Sequence, residues 1–509
     1  MEIARLDNLA LVSGLVAAVV SYLWLYRWNQ RNHVGPKTWP ILGSYLEMMA
    51  NWNRLHDWIT DYMKVLPTPT LTVNVMGSNV YFTASPQNVE YMLKTNWTNY
   101  IKGPILYETA NILFGDGIFV VDGEKWKVVR KVASLEFSSA KLRDFSTEIY
   151  CRDGVRLATI LDGTADTGNK VDLQDLLMRM TMDSVCKIGF GVDQRSLRAD
   201  LPQVSFIDAF QRMGKLVQTR QIGPMWKLRR ALNIAEEREM GQLRKDMDKF
   251  LYNIIKDRKV EIESLQNEGQ LKENNLLSRF MLFKDEEGKK LSDEWLRDVT
   301  INFLLAGRDT TAGTLAWFVY RTCTRPDVVE TCREELVRVL GHPADDSISS
   351  FADLLNYDSV KDLHYLHSAI TETLRLYPAV ANDPKYAVDD DIMPDGTRIK
   401  KQCTVNYHPY AMGRLQSIWG PDAEEFKPER WMKDGVFQPE SPFKFTAFQA
   451  GPRICLGIGT SYLQMKLVAA ILLQFFNFQL VPTSEVMYNV SMVLTLTLKN
   501  GLDVTVSRR

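Results

Sequence analysis

The sequence predicts a mainly α-helical fold with a minor β part, placed after a single N-terminal transmembrane helix. Amphipathic stretches with a helical period dominate from Ser85 to about Leu480. Alternating segments at Leu71–Val75 and Asn79–Thr83 predict a hairpin, and a weaker strand pattern covers Val490–Val506. Since 45% of the 509 residues are hydrophobic and 24% are charged, the chain can bury a large core.

Residues 1–34 are predicted to form a membrane anchor that precedes one domain over residues 35–509. Asn8–Tyr26 carries no charge, and at about 1.5 Å per residue it approaches the roughly 30 Å of a hydrocarbon core. Arg27 and Arg31 follow this span, so the positive-inside rule places the rest of the chain in the cytosol. A cleaved signal peptide and a buried core helix are the alternatives. The first is disfavoured because no clear small-residue cleavage site precedes Arg27.

Charge and composition exclude some functions. The formal net charge of −1 gives no reason to expect a nucleic-acid partner. No Gly-rich phosphate loop follows a predicted strand, so no flavin or nicotinamide module is expected in the chain. The six cysteines lack CxxC pairs, which favours a reducing compartment and inert thiols at all but one position. Lys256–Glu294 is rich in charge and poor in large apolar residues, so a mobile surface connector is expected there.

Phe448–Gly457 (FQAGPRICLG) is the segment that most directly indicates chemistry. Gly451 and Gly457 flank Cys455, and an apolar helical stretch follows. The backbone can therefore approach a flat ligand closely, and the helix N-terminus can stabilise a thiolate. Arg453 supplies a cation that can pair with a carboxylate of that ligand. The alternative is a turn that leads into a core helix and holds an inert cysteine.

The order F-x-x-G-x-R-x-C-x-G resembles the haem-binding signature of the cytochrome P-450 family at every position. The resemblance implies that Cys455 is the thiolate ligand of the iron of haem b. It also implies that Phe448, Gly451 and Arg453 belong to the cofactor-binding loop. The implied fold is the family's α-rich prism with a small β-rich lobe, which would form the catalytic domain over residues 35–509.

Two further segments resemble the family's structural motif. Glu372–Arg375 (ETLR) places a carboxylate and a guanidinium on one helix face, as an ordinary surface pair also would. It resembles the family's E-x-x-R, and Phe426–Trp431 (FKPERW) resembles the segment whose arginine, here Arg430, completes a buried network. The implied role is structural, because such a network can hold the cysteine loop in place.

Ala306–Thr311 (AGRDTT) lies in a long apolar helix. Gly307 costs about 1 kcal/mol there relative to alanine, and the Thr310 hydroxyl can bond back to a carbonyl and open the turn. Asp309 beside it can relay protons from solvent. The segment resembles the family's oxygen-activating A-G-x-D-T, which implies that Asp309 and Thr310 are catalytic. The alternative is a tolerated glycine and a solvent-facing aspartate.

Trp126 and Arg130 lie four residues apart on a predicted helix, so both can face one ligand. They resemble the family's W-x-x-x-R, which implies that they bind the haem propionates. Lys125, Lys127 and Lys131 occupy other faces of this helix. Such a patch can receive an acidic electron-transfer partner, although a lysine cluster is more often only a solvated face.

The resemblance implies a monooxygenase that inserts one oxygen atom of dioxygen into an unactivated C–H bond of a lipophilic substrate. Electrons would come from NADPH through a separate cytochrome P-450 reductase. The protein would cross the endoplasmic reticulum membrane once, with its catalytic domain in the cytosol. Four stretches resemble the plant fatty-acid ω-hydroxylase branch and imply ω-hydroxylation of a long-chain fatty acid: residues 175–179 (DLLMR), 187–192 (KIGFGV), 410–414 (YAMGR) and 439–445 (PESPFKF).

A narrow apolar channel is expected for that substrate. Asn382 adds an amide to its wall and is expected to need a polar partner. Three alternatives stay open: a monooxygenase of a terpenoid or sterol, an enzyme that rearranges hydroperoxides, and a haem-binding membrane protein without turnover. The channel residues expected from the sequence are Ile118, Phe119, Val120, Phe303 and Val380.

Overall fold

The computed structural model describes residues 2–31, 34–137, 140–198, 200–201, 205–223, 225–267, 275–284, 287–482, 486–490 and 495–509. Helices make up most of this part, which confirms the predicted fold class. In chain order they are α1 Glu2–Asn29, α2 Tyr45–Ala50, α3 Leu55–Val65, α4 Pro86–Glu90, α5 Gly103–Phe114, α6 Gly123–Phe137, α7 Ala140–Asp162, α8 Leu173–Val185, α9 Ser205–Ile222, α10 Trp226–Leu232, α11 Glu236–Asn267, α12 Leu276–Leu282, α13 Asp293–Cys323, α14 Pro326–Leu340, α15 Ile348–Ala352, α16 His364–Leu376, α17 Pro409–Met412, α18 Gln416–Trp419 and α19 Ile458–Phe475.

The strands form small sheets at the edges of the helical body. The predicted hairpin is confirmed as an antiparallel pair in which Thr70 faces Thr83. It belongs to a five-stranded sheet with the order β1-β2-β8-β5-β3, in which β2 and β8 run parallel. A three-stranded sheet has the order β11-β12-β4. The strands are β1 Thr70–Val75, β2 Ser78–Thr83, β3 Tyr100–Ile101, β4 Lys170–Asp172, β5 Asp383–Ala387, β6 Asp391–Ile392, β7 Arg398–Ile399, β8 Thr404–Tyr407, β9 Met432–Lys433, β10 Val436–Phe437, β11 Phe476–Leu480 and β12 Asp503–Arg508.

Helix α13 runs through the middle of the helical body. Its C-terminal half packs in one hydrophobic core with α8, α16 and α19, and its N-terminal half packs in a second core with α9 and α11. A third core lies between α3 and the five-stranded sheet. Because α13 is shared by two cores, its middle turn, which carries the A-G-x-D-T segment, is held from several sides.

The sequence predicted a mobile connector over Lys256–Glu294, and this prediction is wrong for most of the described residues in that range. Helix α11 continues to Asn267, and α12 and the start of α13 cover much of the rest. The few apolar residues of α11, among them Leu251, Ile255 and Ile262, recur at helical spacing and are buried. A single apolar stripe is enough to dock a helix whose other faces are charged. Residues 268–274 and 285–286 lie outside the described part.

The N-terminal segment Asn8–Tyr26 lies within the single helix α1. The large apolar side chains described from Leu15 to Trp28 are mostly 51–60% exposed, so the protein itself leaves them uncovered. Among the described residues, one helix, α19, is long and apolar enough to cross a membrane. However, 67% of its 18 residues are buried inside the protein. Membrane anchoring and the boundary after residue 34 therefore stay predictions.

Candidate active site

A cavity of about 310 Å³ lies between the middle of α13 and the loop before α19. All five residues expected to form an apolar channel line it, and α5, α6, α7 and the segment that enters β5 contribute to its walls. The cavity brings together residues from distant parts of the sequence. The sequence-predicted residues that line it include Ile118, Phe119, Val120, Trp126, Arg130, Phe303, Thr310, Val380, Asn382, Phe448, Arg453 and Cys455.

Cys455 opens into this cavity from the loop before α19. Its backbone N–H donates to the Phe448 carbonyl at 2.9 Å, and its Sγ accepts the Gly457 N–H at 3.3 Å. Burial raises the pKa of the Cys455 thiol, while the Gly457 N–H and the nearby Arg130 guanidinium lower it. The loop thus presents one sulfur to the cavity and leaves it a single hydrogen-bond donor, as suits a metal ligand.

Gly451 has a packing role in addition to the cofactor contact expected of it. It has a φ of 66°, and a Cβ at this position would lie 1.9 Å from the Leu93 carbonyl oxygen. The residue therefore lets the loop pack against the backbone of the segment after α4. Gly457, by contrast, lines the cavity. A direct cofactor contact of Gly451 stays a prediction.

Arg453 is tied to the start of α6. Its guanidinium bonds Asp122 at 2.6 Å and the Val121 carbonyl at 2.9 Å, and it lies 4.6 Å from the centre of the Trp126 ring. Arg130, one turn after Trp126, is half-buried beside the cavity, and burial lowers its pKa. These contacts bring together three of the residues predicted to bind a cofactor.

A second group of basic residues, which surrounds Asp383, was not predicted from the sequence. Asp383 is buried and accepts bonds from Lys102 at 2.5 Å, Lys385 at 3.2 Å and Tyr407 at 2.7 Å. Burial lowers the pKa of Lys385 to about 7, although Asp383 opposes the shift. The available signal was Asp383-x-Lys385, which places two charges on one face of a strand. Lys102 had no such signal, because it lies 281 residues from Asp383 in the chain.

The polar end of the cavity fits a flat ligand with two carboxylates. Among the described residues, three cations and one carboxylate line this end of the cavity, and Asp122 pairs with one of these cations from behind, so positive charge is in excess. Haem carries two propionates, and Cys455 offers the sulfur ligand that its iron requires. The residues present therefore fit haem b. The three lining cations are Lys102, Arg130 and Arg453, the lining carboxylate is that of Asp383, and Lys385 and Asp122 bind behind them.

The middle of α13 forms the wall on which dioxygen is expected to bind. Ala306, Gly307 and Thr310 line the cavity, and the Thr310 hydroxyl donates to the Ala306 carbonyl at 2.7 Å, as predicted. Gly307 has an additional role, because a Cβ there would lie 2.6 Å from a methyl group of Val185. The glycine therefore lets α8 approach α13 closely.

Asp309 does not line the cavity in the structure. It is largely buried and accepts a bond from the Arg308 guanidinium at 3.0 Å. Burial raises the pKa of the Asp309 carboxyl, while Arg308 lowers it. The expected solvent-facing alternative thus does not describe this residue. Its position beside Thr310 still allows proton exchange with the cavity through water.

The predicted buried network behind the cysteine loop is present. Arg375 makes two 2.7 Å bonds to the two carboxylate oxygens of Glu372, and both side chains are fully buried. The Arg430 guanidinium lies 3.5 Å from the Glu372 carboxylate, and the Trp431 indole N–H donates to the same carboxylate at 2.9 Å. The network joins α16 to the segment that leads toward the cysteine loop.

The upper part of the cavity is apolar. Phe303 stacks on Phe137 with ring centres 6.0 Å apart, and Phe114 meets Phe119 edge to face at 5.9 Å. Asn382 has found the polar partner expected of it, since its amide donates to Asn406 at 2.9 Å. The charged residues that line the cavity are those of the polar end.

Comparison with known proteins agrees with this geometry. A family profile described as cytochrome P-450 matches residues 34–504. Cytochrome P-450 704B1 of Arabidopsis thaliana is 44% identical over 97% of this chain and 99% of its own length. Cytochrome P-450 704C1 of Pinus taeda is 42% identical over 100% and 99%, and cytochrome P-450 86B1 of Arabidopsis thaliana is 37% identical over 97% and 89%.

Proposed function

Because the chain belongs to the cytochrome P-450 family and is a haem-thiolate monooxygenase supplied with electrons by a reductase, we propose that it hydroxylates the terminal carbon of a long-chain fatty acid. The observation that carries this proposal is the distribution of charge in the cavity. Its charged lining residues lie at the end that fits the haem propionates, and its upper part is aromatic and aliphatic. An alkyl chain can fill such a space, whereas a carboxylate cannot be buried there without a partner.

The methyl end of the substrate therefore goes in first, and its carboxylate stays outside the apolar part. The four stretches that resemble the plant fatty-acid ω-hydroxylase branch support the same substrate. A terpenoid or a sterol would also suit an apolar wall, but neither needs the methyl-first orientation.

Bound haem supplies dioxygen activation and the oxidation of the C–H bond. Cys455 is proposed as its iron ligand, and the cations of the polar end would hold its propionates. Phe448 contacts the same cavity beside the cysteine, and its ring packs 5.2 Å from Tyr462 of α19. The network around Glu372 keeps the loop in position and takes no part in the chemistry.

Thr310 and Asp309 are proposed to deliver protons. The Thr310 hydroxyl lines the cavity and is anchored by the Ala306 carbonyl, so its oxygen has a fixed position beside the reacting centre. Asp309 lies next to it with a raised pKa, so this carboxyl binds a proton more readily than an exposed aspartate. A proton can then pass from Asp309 through water to the threonine hydroxyl.

We further propose NADPH as the source of electrons, and the endoplasmic reticulum membrane as the location, with α1 as a single-pass anchor. The uncovered apolar side chains of α1 support the anchor. On α6, Lys125 pairs with Asp116 and Lys127 pairs with Glu124 at 2.6 Å, so the lysine patch is partly neutralised. This pairing reduces the positive charge that the patch can present to an acidic reductase surface.

The test combines a spectrum with an assay of the full-length protein in vesicles that contain NADPH–cytochrome reductase. Reduced protein treated with carbon monoxide should give the thiolate-type Soret band, and Cys455→Ala should lose it. Hexadecanoic acid should displace the water ligand in the ferric spectrum and be converted to the ω-hydroxy acid with NADPH consumption.

The outcomes separate the alternatives. A thiolate band with no spectral response to any fatty acid would retain the enzyme class and reject the substrate, so that terpenoids and sterols would be titrated next. A band without NADPH consumption would favour a hydroperoxide-rearranging enzyme or a haem protein without turnover.

A further inference from the structure

We propose that Asn302 of α13 is a specificity-determining positioning residue. It holds in place the cavity wall formed by residues 115–121, here called the ceiling, so that only the terminal methyl group of the substrate reaches the reacting centre. This inference rests on the proposed ω-hydroxylation. It concerns the loop of residues 115–121, which joins α5 to α6 and contributes Ile118, Phe119 and Val120 to the cavity wall.

The C-terminal end of α5 is bound by side chains of other helices. The last carbonyls of a helix have no partner within it. Here three consecutive carbonyls accept side-chain donors: Asn302 at 2.8 Å, Arg297 at 3.2 Å and Arg244 at 2.8 Å. The first two belong to α13 and the third to α11, so the end of α5 is tied to both helices. The carbonyls are those of Phe114, Leu113 and Ile112, respectively.

The loop after α5 is tied to the same face of α13. The Asp116 N–H donates to the Asp298 carboxylate at 2.8 Å, and the Phe119 N–H donates to the Asn302 amide oxygen at 3.4 Å. Asn302 also donates to the Asp298 carbonyl at 2.7 Å and is completely buried. Its amide thus bonds the end of α5 through the nitrogen and the loop through the oxygen, as no aliphatic side chain of similar size can.

Two glycines let the loop lie directly on this amide. A Cβ at Gly117 would lie 1.8 Å from the Asn302 amide nitrogen, and a Cβ at Gly115 would lie 1.9 Å from an Asp298 carboxylate oxygen. Such distances leave no room for any side chain. The loop backbone and α13 therefore make direct contact at the position where the ceiling is set.

The position of this loop decides which carbon of the substrate chain is oxidised. Asn302 precedes Ala306 by one helical turn, so the clamp lies directly before the wall that carries Ala306 and Thr310. The C–H bonds of the penultimate carbon are weaker than those of the terminal methyl, so an unconstrained chain is oxidised next to its end. Selective attack at the methyl requires that the walls hold the chain straight. A loosened loop would let the chain bend and bring inner carbons to the same point.

The experiment measures the ratio of ω-hydroxy acid to in-chain hydroxy acids formed from hexadecanoic acid. Asn302→Ala removes the clamp, and Gly117→Ala pushes the loop away while it leaves Asn302 in place. Each should lower the ratio about tenfold, because small displacements of a bound chain change reactivity by such factors. Gly241→Ala on α11 is the matched control, since a Cβ there meets nothing within 4 Å.

The double variant sharpens the result. In Asn302→Ala the methyl of Gly117→Ala no longer meets an amide, so the two changes together should lower the ratio no further than either alone. The thiolate-type Soret band shows which variants are folded, and either single variant that keeps it decides the question. An unchanged ratio in a folded variant would overturn the role of Asn302. If the wild-type protein forms no ω-hydroxy acid at all, the proposed function has failed instead.

Discussion

Two buried ionic clusters differ in how far the protein itself satisfies their cations. Around Glu372, Arg375 and Arg430 share its carboxylate, Arg430 also meets Asp422, which pairs with Lys427, and the remaining donors of both arginines bind backbone carbonyls. Around Asp383, Lys102 and Lys385 share one carboxylate, and of the two arginines nearby Arg453 pairs with Asp122, whereas Arg130 has no ion-pair partner among the described residues. A matched cluster is complete without a ligand, whereas an unmatched one is best satisfied by an anion.

The difference separates structure from binding among residues that look alike in the sequence. Both clusters are buried, both contain a carboxylate and basic residues, and both lie near the cysteine loop. On this difference we propose that the Glu372 cluster belongs to the fold and that the Asp383 cluster belongs to the cofactor site. Each assignment can be tested by removing one charge.

The largest effect is expected from Glu372→Ala. It leaves the buried Arg375 without its carboxylate and removes one of the two carboxylates that Arg430 meets, which should lower the free energy of unfolding by about 3–5 kcal/mol. Denaturant unfolding followed by tryptophan fluorescence measures the change. Arg54→Ala is the control, because its partner Asp61 is about half exposed and the loss should be under about 1 kcal/mol. Equal losses in the two variants would remove the distinction between buried and exposed pairs.

An intermediate effect is expected from Lys102→Met, because Lys102 lines the cavity, and it should fall on haem binding. A hydrogen bond to a charged group contributes about 1.5–3 kcal/mol, so haem should be released about 10- to 100-fold faster. Transfer of haem to an acceptor protein gives the rate, and Lys102→Arg, which keeps the charge, should restore most of it. The assignment to the cofactor site fails if the variant releases haem at the unchanged rate and its haem-free form loses as much free energy of unfolding as Glu372→Ala.

The haem-free protein should also show a pH dependence of its free energy of unfolding. The pKa of Lys385 is lowered from 10.5 to about 7 in the fold, so between these values the unfolded chain binds more protons than the folded one. The contribution of Lys385 to stability should therefore rise with pH over this window. Unfolding at several pH values should show a shallower rise in Lys385→Met. Bound haem should also make this rise of the free energy of unfolding with pH shallower, because an anion favours the charged form of Lys385. A slope unaltered by Lys385→Met would contradict this reasoning.

Much of the candidate site could be predicted because its residues occur in short segments. Cys455, Arg453 and Phe448 lie within eight residues, and Trp126 and Arg130 lie one helical turn apart. Such spacing fixes relative position through local geometry alone. The predicted network of Glu372, with Arg375 one turn away, follows the same rule.

The residues that were missed make long-range contacts. Lys102 reaches Asp383 from a different element, and Asn302 meets a loop more than 180 positions earlier in the chain. The helical continuation of α11 was missed for a related reason. Its apolar stripe is sparse, and only the packing of that stripe against neighbouring helices makes it a helix of the core.

The sequence by itself determined the class of fold, the sulfur that faces the cavity and the two helix segments on either side of it. Local periodicity and motif spacing carry that information within a few turns of chain. The tertiary structure decided how the charges balance, why Gly307 and Gly451 must lack side chains, and how the ceiling of the cavity is held. These features depend on which distant atoms come within about 3 Å of each other, because hydrogen bonds and close packing act only at contact.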